Sequence, residues 1–181
     1  ADLGGANLHT LLGVPSPKAN LSDFIAKRVS SLGEVMTATP IEHVWLVSGS
    51  KALVEMANPN YGQKSKMLRH INALQVDHVV LDLGAGTSFN VLDFFLAARK
   101  GVLVVVPEPT SVENAYHFLK AAFFRKLKRA QPRKQVKDAI KEFMNSSIRS
   151  ELKTPRDLIS KVWSVDPDVG AALVAEASGF R

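Results

Sequence analysis

His78–Ala98 reads HVVLDLGAGTSFNVLDFFLAA. Its first residues, His78–Leu81, form a β-branched, apolar run that stops at Asp82, and Gly84 and Gly86 then punctuate the chain. From Phe89 to Ala98 the apolar residues fall at helical spacing. A strand, a glycine turn and a helix make half of a βαβ unit. Working outward, two further runs have the same character: His43–Ser48 (HVWLVS) and Val102–Val106 (VLVVV). The runs at 78–82 and 102–106 are almost unbroken Val and Leu, as in strands covered on both faces. Helical periodicity fills Gly62–Leu74, through Met67, Leu68, Ile71 and Leu74, and returns over Val112–Leu127. This alternation predicts an α/β fold: an open, mostly parallel sheet with helices on both faces.

Beyond Gln131-Pro132 the strands end. Gln135–Met144, Pro155–Trp163 and Pro167–Ala177 read as helices. Thr154-Pro155 and Asp166-Pro167 each place a capping residue before a proline at the first helical position. Residues 1–130 are therefore expected to be the α/β core, and 131–181 its helical continuation. Ala1 opens the chain with no strand before it, and Arg181 closes it with no strand returning to the sheet. The domain is accordingly expected to be shortened at both ends.

A chain of 181 residues, 46% hydrophobic and 22% charged, is long enough to bury a core and is ordinary for a globular domain. No apolar run approaches the length of a membrane span, and no signal peptide is visible. The absence of cysteine removes disulfides, thiolate metal sites and cysteine nucleophiles from this chain, and fits a cytoplasmic location. The net charge of +6 is concentrated: Arg125, Lys126, Lys128, Arg129, Arg133, Lys134 and Lys137 fall in one stretch. Such a stretch is either a solvated helix face or a surface for acidic lipid or an acidic partner. The aromatic residues Trp45, Trp163 and Phe118–Phe124 read as core, so direct nucleic-acid binding is not expected.

Asp82 stands at the carboxyl end of a predicted strand, the Walker B position. A carboxylate there can hold a magnesium-bound water, and Gly84 and Gly86 let the backbone approach a phosphate closely. The competing reading is a turn or helix-capping aspartate. Val102–Val106 runs into Pro107-Glu108-Pro109-Thr110-Ser111, a proline-pinned loop where ligands of open sheets bind. Thr110 or Ser111 is expected to cap the helix starting near Val112. The phosphate loop G-x-x-x-x-G-K-[ST] does not occur, and Gly62-Gln63-Lys64-Ser65 reads as a polar helix start. Neither a G-x-G-x-x-G fingerprint, a G-x-S-x-G elbow nor a metal-type histidine spacing is present.

Three blocks in order, ADLGGANLHTLLG (1–13), VVLDLGAGTSFNVLDFFLAA (79–98) and VVVPEPTSVENAYHFLK (104–120), resemble the MinD/ParA family of deviant P-loop ATPases. They are most similar to its FlhG/FleN-like branch, which controls flagellar number and placement. The resemblance covers about residues 1–130. It implies that Asp2 is the second carboxylate of a D-x-D motif that orients the attacking water, with Asn7 near the dimer-facing side. It implies Asp82 on the Mg2+ shell through water, Gly84 and Gly86 in the second switch, and Pro107 and Glu108 beside the adenine. ATP and Mg2+ would be the cofactors, held between two subunits of an ATP-dependent homodimer. Dimerisation would expose a surface for flagellar or pole-positioning proteins or for peripheral contact with the inner membrane, and Arg125, Lys126, Lys128 and Arg129 are candidates for that surface. The family's K-G-G-x-G-K-[ST] loop is not in the sequence, so these residues alone are expected to bind ATP poorly and hydrolyse almost none. A non-catalytic interaction module retaining the fold is the alternative. An iron–sulfur carrier of the related Mrp type is disfavoured by the lack of cysteine.

Overall fold

A computed structural model describes residues 7–15, 17–49, 59–130, 134, 137–138, 141 and 155–178. Asp2, Thr154, Arg133 and most of the expected helix Gln135–Met144 lie outside the described residues. The chain divides into two compact units, Ala1–Val102 and Leu103–Arg181.

In the first unit, α1 (Leu8–Leu11) and α2 (Leu21–Ile25) precede a 3-10 turn at Gly33–Val35. A hairpin of β1 (Met36–Ala38) and β2 (Trp45–Val47) follows, then α3 (Tyr61–Asn72) and α4 (Phe89–Ala97). Helices α2 and α3 begin on reciprocal caps. The Asn20 side chain accepts from the Ser22 N–H at 2.8 Å, and the Asp23 carboxylate accepts from the Asn20 N–H at 2.9 Å. Asn60 accepts from the Gln63 N–H at 2.9 Å, and Gln63 accepts from the Asn60 N–H at 2.8 Å. Such boxes satisfy backbone donors that a helix start leaves open. Gly62-Gln63-Lys64-Ser65 thus lies in the first turns of α3, a polar helix start as its sequence suggests.

The core of this unit gathers Leu21, Phe24, Leu32, Val35, Met67 and Phe94. The face of α3 read from periodicity, Met67, Leu68, Ile71 and Leu74, packs into it together with Leu81 and Leu83. Strand β2 lies inside the expected run at 43–48 but pairs antiparallel with β1, Met36 facing Val47 and Ala38 facing Trp45. β1 escapes sequence reading because three residues carry no usable period. Trp45 is a correction: it is exposed, because the alternation that buries Leu46 turns its neighbour outward. β1 and β2 form the sheet found among the described residues. The Val-rich run at 78–82 is described outside any strand, with Val80 89% exposed.

The second unit contains α5 (Pro109–Ala130), α6 (Pro155–Val165) and α7 (Pro167–Ser178), and α7 packs against both others. Phe124 and Leu127 of α5 are buried with Val162, Val169 and Leu173, and Phe123 packs against that cluster. Asp166 caps α7 as its sequence indicates, accepting from the Val169 N–H at 3.1 Å. Gly170 is the crossing point of α6 and α7: a Cβ there would lie 2.8 Å from the Trp163 Cα. Trp163 is half exposed rather than core, with only its backbone and one ring edge against Gly170. In this unit residues 103–106 lie outside any strand, with Val104 87% exposed.

Candidate nucleotide-switch site

Burial alternates along 80–83: Leu81 and Leu83 pack against the core, and Asp82 between them is exposed. This is the two-residue period of an extended chain, and it turns the carboxylate to solvent. The loop that follows carries Gly84 and Gly86. Gly86 has φ +91 and no atom within 4 Å of where a Cβ would stand, so it takes a backbone conformation suited to glycine beside open space. The capping position of α4 is taken by Ser88, whose hydroxyl accepts from the Val91 N–H at 3.4 Å while its carbonyl accepts from Leu92 at 3.0 Å. The capping role that competed for Asp82 is therefore filled by another residue. An exposed carboxylate suits Mg2+, which keeps several of its waters and takes one or two protein oxygens.

Asn7 is exposed and starts α1, its carbonyl accepting from the Thr10 N–H at 3.0 Å; its side chain makes no capping bond. Asn7, Asp82, Gly84 and Gly86 belong to the first unit; Pro107 and Glu108 belong to the second. Pro107 and Glu108 are exposed, and the Glu108 N–H closes a tight turn on the Val106 carbonyl at 2.8 Å. Helix α5 starts at Pro109, earlier than expected, because proline at the first helical position already has helical φ. This corrects the capping role expected of Thr110 or Ser111. The Ser111 hydroxyl instead accepts from the Val106 N–H at 3.2 Å, bracing the loop.

Of the basic stretch, Arg125 and Lys126 are half-buried, while Lys128 and Arg129 are exposed in the last turn of α5. At 100° per residue, Arg125 and Arg129 lie on the side of α5 opposite Phe124 and Leu127. Cations also complement the partial negative charge of a helix C-terminus.

Sequence reasoning missed a charged contact between α3 and α4. Lys64 of α3 donates to the Asp93 carboxylate of α4 at 2.5 Å, the two side chains only 12% and 9% exposed. The signal was a lone Asp within the apolar run FNVLDFFLA. Two carboxylates elsewhere, the partly buried Asp23 and the exposed Glu34, are held below their ordinary range. Asp23 is lowered by the Asn20 N–H and then by Arg28, and Glu34 by the hydroxyls of Ser30 and Ser31.

Among the described residues no helix is long and apolar enough to cross a membrane, and no cluster of three metal-ligating side chains occurs. No family model matches the chain. The chain is 34% identical over 122 residues to the antiactivator FleN of Pseudomonas aeruginosa, a match covering 66% of this chain and 42% of FleN. The similarity is to part of FleN. The chain thus spans less than half the length of the curated relative it matches.

Proposed function

We propose that this chain is the switch-bearing part of a FleN-like ATPase that controls flagellar number or placement, or pole positioning, through ATP-dependent homodimerisation. The observation that carries the reading is the Asp82 loop: an outward carboxylate, a left-handed Gly86, and a helix capped independently by Ser88, in a chain similar to FleN. In this proposal the β-branched runs at 43–48, 78–82 and 102–106 belong to an open parallel sheet, with the loops at 83–88 and 107–108 at its carboxyl ends. Asp82 holds a water on Mg2+, Asp2 orients the attacking water, and Asn7 faces the second subunit. Gly84 and Gly86 approach the γ-phosphate, and Pro107 and Glu108 flank the adenine. Catalysis in such sites is positioning and charge stabilisation, so the phosphate loop is indispensable, and these residues alone hydrolyse almost no ATP. The protein acts in the cytoplasm, and the basic end of α5, with half-buried Arg125 and Lys126 and exposed Lys128 and Arg129, meets an acidic partner or the inner membrane surface. Reversal of these four charges is expected to abolish salt-sensitive binding to partner or acidic vesicles; unchanged binding removes that surface from the proposal.

The test is Asp82→Asn in the full-length protein. Mg2+-dependent ATP turnover is expected to fall about a hundredfold or more, with folding unchanged because the side chain is exposed. Turnover equal to wild type rejects the assignment. A second reading, a non-catalytic interaction module, is favoured by the absence of G-x-x-x-x-G-K-[ST] from these residues. A full-length protein that binds its partner without binding or hydrolysing ATP decides for it.

A further inference from the structure

The glycine loop is fixed from both ends. Leu83 anchors it in the core before Gly84, and Ser88 joins it to α4 after Thr87. Helix α4 is itself held by buried Leu92 and Phe94 and by the Lys64–Asp93 contact to α3. Lys64 lies one turn before buried Met67, and Asp93 is next to buried Phe94, so the charges meet at the rim of the same core. Packing alone does not call for this arrangement, because a buried ion pair loses much of its attraction to desolvation. Apolar replacements of similar volume often stabilise as well. What a charged pair adds is register: α4 cannot turn or slide along α3 without separating a nearly buried ion pair.

We infer that Lys64 and Asp93 form a positioning pair that sets the register of α4 on α3 and, through the Ser88 cap, the conformation of the loop carrying Gly84 and Gly86. Its functional consequence rests on the reading of that loop as a nucleotide switch. Neither residue is placed in contact with nucleotide.

The experiment has two arms. The first measures amide hydrogen exchange in the 181-residue chain for Lys64→Met, Asp93→Asn and the apolar double variant K64M/D93L. The Val91 and Leu92 amides, which close the Ser88 cap, are expected to exchange about tenfold faster, while those of α2 keep their protection. Should a single variant fail to fold, K64M/D93L, which strands no charge, carries the test. Unchanged exchange at Val91 and Leu92 in the double variant, or a uniform rise across the unit, overturns the inference. The second arm measures ATP turnover in the full-length protein. With K64M/D93L, kcat is expected to fall about tenfold with KM within about twofold of wild type, and an unchanged kcat overturns the coupling to the switch. A wild-type protein with no ATP turnover overturns the functional reading instead, and the exchange arm still decides the pair.

Discussion

The two Val-rich runs look alike as sequence and are anchored differently. The run at 78–83 sends Leu81 and Leu83 into the core, and the helix after it is buried within two turns at Leu92 and Phe94. The run at 102–106 is exposed at every residue. The helix after it stays exposed at Val112, Tyr116 and Leu119, and is buried only from Ala122 onward. Similar local signals therefore yield one loop held by tertiary packing and one held by the Ser111 hydroxyl and a tight turn. Which surfaces reach a packed core, rather than β-propensity, separates the two runs.

The strongest way to break this comparison is to cut both regions. Phe94→Ala is expected to destabilise the first unit by about 4 kcal/mol in urea unfolding, because it empties a fully enclosed site. Val104→Ala in the same chain should change stability by less than about 0.5 kcal/mol, as exposed substitutions do. A protein carrying the proposed parallel sheet would cover Val104, and the same substitution would then cost about 2 kcal/mol. A small cost would count against that sheet. Gly170→Ala probes the helical unit: an added Cβ meets the Trp163 backbone, so a loss of about 1–3 kcal/mol is expected. A neutral result would show that α6 and α7 separate freely at their crossing.

The smallest effect is on pH. Asp23 and Glu34 have folded-state values below their ordinary 3.8 and 4.5. The unfolded chain then binds protons more readily, so their stabilisation is present above about pH 5 and is lost as pH falls through the lowered values. Glu34 is exposed and Asp23 only partly buried, so the loss should be slight. Acid titration followed at the α2 and 3-10 segment should steepen below about pH 4, and Asp23→Asn should remove its share. An unchanged profile in that variant would discard the role assigned to the Asn20 and Arg28 bonds.

Helices were legible because their signals are local. The Met67–Leu74 period, the Asp166-Pro167 start and the span of α4 need only neighbours along the chain. The exposure of Asp82 was not legible: an unbroken apolar run reads as a strand covered on both faces, whereas Val80 and Asp82 are exposed. The antiparallel β1–β2 pairing was not legible either, because it depends on a three-residue segment with no period of its own. Nor was the outward face of Trp45, which follows from which side of the hairpin meets the core.

By itself, then, the sequence indicated α3 to α7 but neither α1 nor α2, and it showed which acidic and glycine residues share one loop. Tertiary structure alone decided that Lys64 meets Asp93 across 29 positions, and that Ser88 rather than Asp82 caps α4. It also decided that one Val-rich run touches a core while the other does not. Capping and periodicity are set by bonds within a few residues. Partner choice between distant segments is set by which surfaces exclude water together, and no local pattern encodes that.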